Sequence, residues 1–167
     1  MTTRRNVRFL RLKREICVRS MGLFRYFRSR IAAVSKPDVV HLLAILCSES
    51  DRSLFKLAAS QRINWETAAV GSWDEAASLL EIERFAVIVY DRDLPDRDWR
   101  QTVRNLAKLS PCILLASTRI DGFLWQEVVQ CGGHDVFTKP LEERSVLRTI
   151  DQALRYAAAT ANTSVKR

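Results

Sequence analysis

Residues Phe85-Ala-Val-Ile-Val-Tyr90 form an unbroken apolar run that passes directly into Asp91-Arg-Asp-Leu-Pro-Asp-Arg-Asp-Trp99. An apolar run this short suits a strand covered on both faces, as found in parallel sheets flanked by helices. Four aspartates and a proline follow at once. Asp and Pro are turn formers. In open parallel sheets, ligand chemistry also collects beyond the carboxyl ends of the strands. Asp91 therefore has two readings: the start of a turn, or a carboxylate placed as nucleophile, metal ligand or base.

The chain around this run alternates strand and helix signals. Val39–Cys47 reads as a first strand, and Ser50 or Asp51 can cap a helix to about Gln61 with Leu54, Phe55, Leu57 and Ala58 inward. Ile63–Val70 is a weaker strand. Ser72-Trp-Asp-Glu75 has capping-box spacing and opens a helix to about Glu83 with Ala76, Ala77, Leu79 and Leu80 inward. After the run at 85–90 come a helix from about Asp98 to Leu109 and a strand Cys112–Ala116. A helix Asp121–Gln130 buries Leu124, Trp125, Val128 and Val129 and is stopped by Gly132-Gly133. A strand Asp135–Thr138 and a helix from Leu141 to about Ala158, with Val146, Leu147, Ile150 and Leu154 inward, complete the series. Five βα units predict an α/β, flavodoxin-like (βα)5 fold, a doubly wound parallel sheet of strand order 2-1-3-4-5. It occupies 39–158, between a basic extension at 1–38 and a polar tail at 159–167 that frays.

The net charge of +8 would suggest nucleic acid or membrane as partner if it were spread over this domain. Residues 1–40 hold 11 of the 27 Lys/Arg and two of the 19 acids, so the other 127 residues carry a net charge of −1. The domain is near neutral and no nucleic-acid partner is expected. In the extension, Phe9, Leu12, Ile16, Leu23, Phe27 and Ile31 fall on one helical face among arginines. A basic amphipathic helix at 1–36 suits an anionic membrane surface or an acidic partner. Disorder in isolation, or translation from Met21, are the alternatives. The four cysteines form no CxxC pair and read as buried free thiols in a reducing cytoplasm. Cys131-Gly-Gly-His134 lacks the second pair that a metal site needs. No apolar stretch approaches the ~20 residues of a membrane span and no signal-peptide core is present, so a cytoplasmic location is expected. A glycine-rich phosphate loop is missing, which counts against a kinase or GTPase.

In strand order 2-1-3-4-5 the ends of strands 1, 3 and 5 bring Glu49, Asp91 and Lys139 toward one edge, with Ser117 past strand 4. Two carboxylates, a lysine and a hydroxyl suit phosphoryl transfer. Asp91 would be the nucleophile, Glu49, Asp91 and the backbone carbonyl of Asp93 would hold Mg²⁺, and Lys139 and Ser117 would contact the phosphoryl oxygens. The Lys139–Pro140 bond is a candidate cis peptide.

D-R-D-L-P-D-R-D at 91–98, G-G-H-D-V-F at 132–137 and T-K-P at 138–140 resemble the receiver domain of two-component response regulators. The resemblance covers 41–158. It implies a phosphoacceptor at Asp91, charged by a histidine kinase or histidine phosphotransfer protein with Mg²⁺. The output would be a surface of the fourth helix, fifth strand and fifth helix that engages an unidentified downstream protein. The first expectation is thus a stand-alone, non-enzymatic response regulator. The second is a pseudo-receiver that acts as a phosphorylation-independent interaction module, and the third a small phosphatase or hydrolase using Asp91 and Lys139. The sequence departs from the family pattern in four ways. Ser48 and Glu49 stand where two adjacent acids are usual, which weakens Mg²⁺ binding. Trp99 replaces a glycine. The aromatic switch position is Val136, with Phe137 facing the other way. The hydroxyl site is Ser117, preferred over Ala116.

Overall fold

The computed structural model describes residues 39–95 and 97–164, from 159 onward by backbone alone. The predicted amphipathic helix of the basic extension, with Cys17, lies outside the described residues.

Five strands, β1 (Val40–Ile45), β2 (Trp65–Val70), β3 (Val87–Asp91), β4 (Cys112–Ser117) and β5 (Asp135–Thr138), form one sheet in the order β2-β1-β3-β4-β5, all pairs parallel. Helices α1 (Glu49–Ala59), α2 (Trp73–Ile82), α3 (Trp99–Leu106), α4 (Leu124–Gln130) and α5 (Glu143–Ser164) alternate with them. The expected fold and strand order are those observed.

Successive side chains of a strand point to opposite faces. Leu42, Ala44, Val87, Val89, Leu114 and Ala116 meet α1 and α5 on one face. Leu43, Ile45, Ile88, Tyr90, Ile113 and Leu115 meet α2, α3 and α4 on the other. Both faces are dry, which explains why the central strands show no polar alternation.

The differences from expectation lie at element ends and on helix faces. Helix α1 is capped by Ser48, whose hydroxyl accepts from the Asp51 amide, so it begins at Glu49 rather than after Ser50 or Asp51. That turn carries the Asp51 side chain inward. Leu57 is exposed and Phe55, Ala58 and Ala59 fill its place. In α4 the chain makes only two turns, and the i,i+4 pair Leu124/Val128 takes the core. Trp125 and Val129, expected inward, are 53% and 43% exposed. Ile63 lies outside β2 and is fully exposed. Helix α5 runs on to Ser164, into the stretch expected to fray.

Gly132, after α4, has φ +90°, where a Cβ is strained and would meet Ala107 Cβ at 3.0 Å. Gly132→Ala should cost about 1–2 kcal/mol. Phe55→Ala, which empties a fully buried site, should cost about 3–5 kcal/mol. Urea unfolding followed by circular dichroism reads both, and equal losses would contradict the ordering.

Candidate functional site

Asp91 is the last residue of β3 and has no exposed surface. Its Oδ2 accepts from Lys139 Nζ (2.7 Å), the Cys47 amide (3.0 Å) and the Cys47 thiol (2.9 Å). Its Oδ1 accepts from the Asp93 amide at 2.9 Å. Burial alone would raise its pKa. The thiol, the ammonium and the two amides outweigh burial and hold the carboxyl below its ordinary range.

Lys139 follows β5, in a loop fixed from three sides. Its amide donates to the Ser117 carbonyl (3.0 Å), its ammonium reaches Asp91, and the Leu141 amide two residues on donates to Asp51 Oδ1 (3.0 Å). The Lys139–Pro140 peptide is cis. The ammonium also lies 3.8 Å from Asp51 Oδ2 and 3.6 Å from Asp93 Oδ2. The side chains of Lys139 and Asp51 are each only 6% exposed. Burial lowers the pKa of the amine, but the bond to and charge of Asp91 win and raise it.

Sequence reasoning missed two members of this cluster. Asp51 came into view there only as a candidate cap. The Ser48-x-x-Asp51 spacing was the available signal, because a cap at Ser48 puts Asp51 one turn in and facing the sheet. Cys47, expected as a buried structural thiol, is exposed and sits against Asp91. Burial and the neighbouring carboxylate raise its pKa, which keeps it a thiol donor. Cys112 and Cys131 are buried, as expected, and burial pushes the Cys112 thiol up to about 11. His134 accepts from the Ile113 amide through Nδ1, a structural role.

Glu49 does not join the cluster. Its side chain is 76% exposed and pairs with Arg52 three residues on, which lowers its pKa. The expected placement of Ser48 and Glu49 at the acid positions is corrected accordingly. Residues Leu46 and Cys47 leave β1 at the level of Asp91, Leu46 packed into the core and Cys47 bonded to the carboxylate. Helix α1, starting early, turns Glu49 outward.

Of the other expected residues, Asp93 meets the pocket through its amide and carboxylate; its Oδ2 also accepts from the Thr118 amide at 3.2 Å. Ser117 ends β4 beside Thr138, fully buried. Its hydroxyl is occupied by Arg119, donating to the carbonyl (2.8 Å) and accepting from the amide (3.2 Å). Ala116 is the residue in register with Asp91. Val136 packs half-buried on the α2–α3–α4 side, and Phe137 is buried on the opposite side. Trp99 is buried, with the guanidinium groups of Arg92 (5.6 Å) and Arg100 (4.6 Å) over its ring. Arg100 continues to Glu127 of α4 through two bonds of 2.8 Å.

The donor set suits Mg²⁺ poorly. The ion prefers hard oxygen ligands in octahedral array. Here a thiol and a leucine stand at the strand end, Glu49 is turned away, and an ammonium lies among the carboxylates. Among the described residues no three His, Cys, Asp or Glu side chains are placed to hold one ion.

No family model matches the chain, and no curated protein matches it. Solved structures do. A receiver domain protein (CheY-like) from Methanospirillum hungatei JF-1 is 17% identical, with 74% of this chain and 99% of that one covered and a TM-score of 0.65. The chemotaxis response regulator CheY4 of Vibrio cholerae is 23% identical over 70% of this chain and 99% of that one, with a TM-score of 0.60. A response regulator from Burkholderia pseudomallei, solved with a phosphorylated aspartic acid, calcium ion and citrate, is 20% identical over 76% and 73%, with a TM-score of 0.59. The chain has the fold of the CheY-like receiver domains of response regulators.

Proposed function

We propose that the chain is a receiver-fold interaction module that signals through protein contacts without phosphorylation of Asp91. One observation carries this reading. The Asp91 carboxylate is wholly buried, and its oxygens already accept four hydrogen bonds, three of them on Oδ2. A nucleophile needs an open oxygen with a positioned cation to draw in the phosphoryl group. The surface offered to a partner runs along α4 and α5. Phe123, Trp125, Val129 and Tyr156 are exposed there, and the last three, with His134 and Asp135, line a groove of about 420 Å³. Grouped exposed aromatics of this kind favour protein contact.

The phosphoacceptor reading is the second. It is favoured by the convergence of Asp91 and Lys139 at the strand ends beside Ser117, and by the phosphorylated aspartate of the Burkholderia neighbour. In that reading a histidine kinase or phosphotransfer protein supplies the phosphoryl group.

The two readings separate on incubation of the full chain with acetyl phosphate, or with beryllofluoride, in Mg²⁺. The expected result is an unchanged intact mass and unchanged tryptophan emission. A phosphoryl adduct that disappears in Asp91→Asn would restore the phosphoacceptor.

The ion pair also sets a pH dependence. Asp91 has a depressed folded-state pKa, so its contribution to stability is full above the ordinary carboxylate value of about 4 and fades as pH falls through the folded value. Lys139 is raised, so its contribution is full below about 10.5 and fades as pH rises through its folded value. Asp91→Asn should therefore flatten part of the acid limb in urea unfolding, and Lys139→Met part of the alkaline limb. Parallel curves for wild type and variants would contradict the assignment.

A further inference from the structure

We propose that the Lys139 ammonium is the permanent counter-ion of this pocket and stands in for a divalent cation. The wild-type chain then takes no Mg²⁺ or Ca²⁺ at Asp91. The inference rests on the reading of a phosphorylation-independent module and concerns how its pocket is held.

The ammonium lies 2.7 Å from Asp91, 3.6 Å from Asp93 and 3.8 Å from Asp51. A single positive charge thus faces three carboxylates. Each carboxylate also accepts from backbone N–H groups: the Cys47 and Asp93 amides for Asp91, the Thr118 amide for Asp93, and the Leu141 amide for Asp51. Asp51 also lies in the first turn of α1, where the helix dipole favours negative charge. The ammonium, the amides and the helix dipole thus act together on the carboxylates.

A cation could enter only by displacing the ammonium, which is nearly buried and bonded to Asp91. The Lys139 amide is tied to Ser117 and the Leu141 amide to Asp51, which fixes the backbone from which the side chain reaches in. An incoming ion would also meet the Cys47 sulfur, a soft ligand, where a hard cation wants oxygen.

Thermal unfolding of the full chain at fixed ionic strength tests this, with millimolar Ca²⁺ or Mg²⁺ against EDTA. The wild-type midpoint should not move. A rise of about 3 °C or more with either ion that is lost in Asp91→Asn overturns the proposal. Calorimetric titration of the wild type with Ca²⁺ and Mg²⁺ should show no binding, and binding that is lost in Asp91→Asn overturns it likewise. This outcome is distinct from failure of the module reading, which is registered by a phosphoryl adduct on Asp91.

Discussion

A lysine ammonium and an aspartate carboxylate meet at 2.7 Å where almost no solvent reaches, and much of the domain's upper edge is arranged around that pair. Two charges taken out of water cost several kcal/mol each unless geometry and further hydrogen bonds compensate. The compensation comes from elements far apart in sequence. The end of β1 gives an amide and a thiol, the β3–α3 turn an amide, and the loop after β5 the lysine itself. Only a parallel sheet with β1 beside β3 brings these together. The dry strands beneath and the polar edge above are thus parts of one solution.

The fold was legible because its signals reinforce one another. The apolar run before Asp91 has the length and composition of a strand covered on both faces, and the alternation of such runs with capped helices leaves few topologies. Asp91 and Lys139 were also legible, since the first ends a strand, the second directly follows one, and the strand order makes them neighbours.

The rest of the pocket was less legible for physical reasons. Carboxylates carry the clearer sequence signal and point to Glu49, whereas Cys47 makes the contact. The expected caps, Ser50 and Asp51, and the observed one, Ser48, differ in energy by less than sequence can resolve. Choosing Ser48 rotates Asp51 into the pocket and Glu49 out of it. Ser117 was expected just past β4 and instead ends it, and the capture of its hydroxyl by Arg119 is a matter of loop geometry that no spacing rule encodes. Apolar content likewise overstated burial at Leu57, Trp125 and Val129, where a short amphipathic helix has more apolar residues than its core-facing stripe can take.

Helix α5 spans 22 residues, about 33 Å at 1.5 Å per residue, whereas β5 has four residues, about 13 Å at 3.3 Å each. More than half of the helix therefore outreaches the strand that precedes it. Its root lies just beyond Leu141, the residue whose amide is gripped by Asp51. Past that root, Val146, Ile150 and Ala153 seat the helix on the dry face of the sheet. One element is thus held by the polar edge at its start and by the apolar core along its length, so any loosening of the charged edge is felt first where the helix begins.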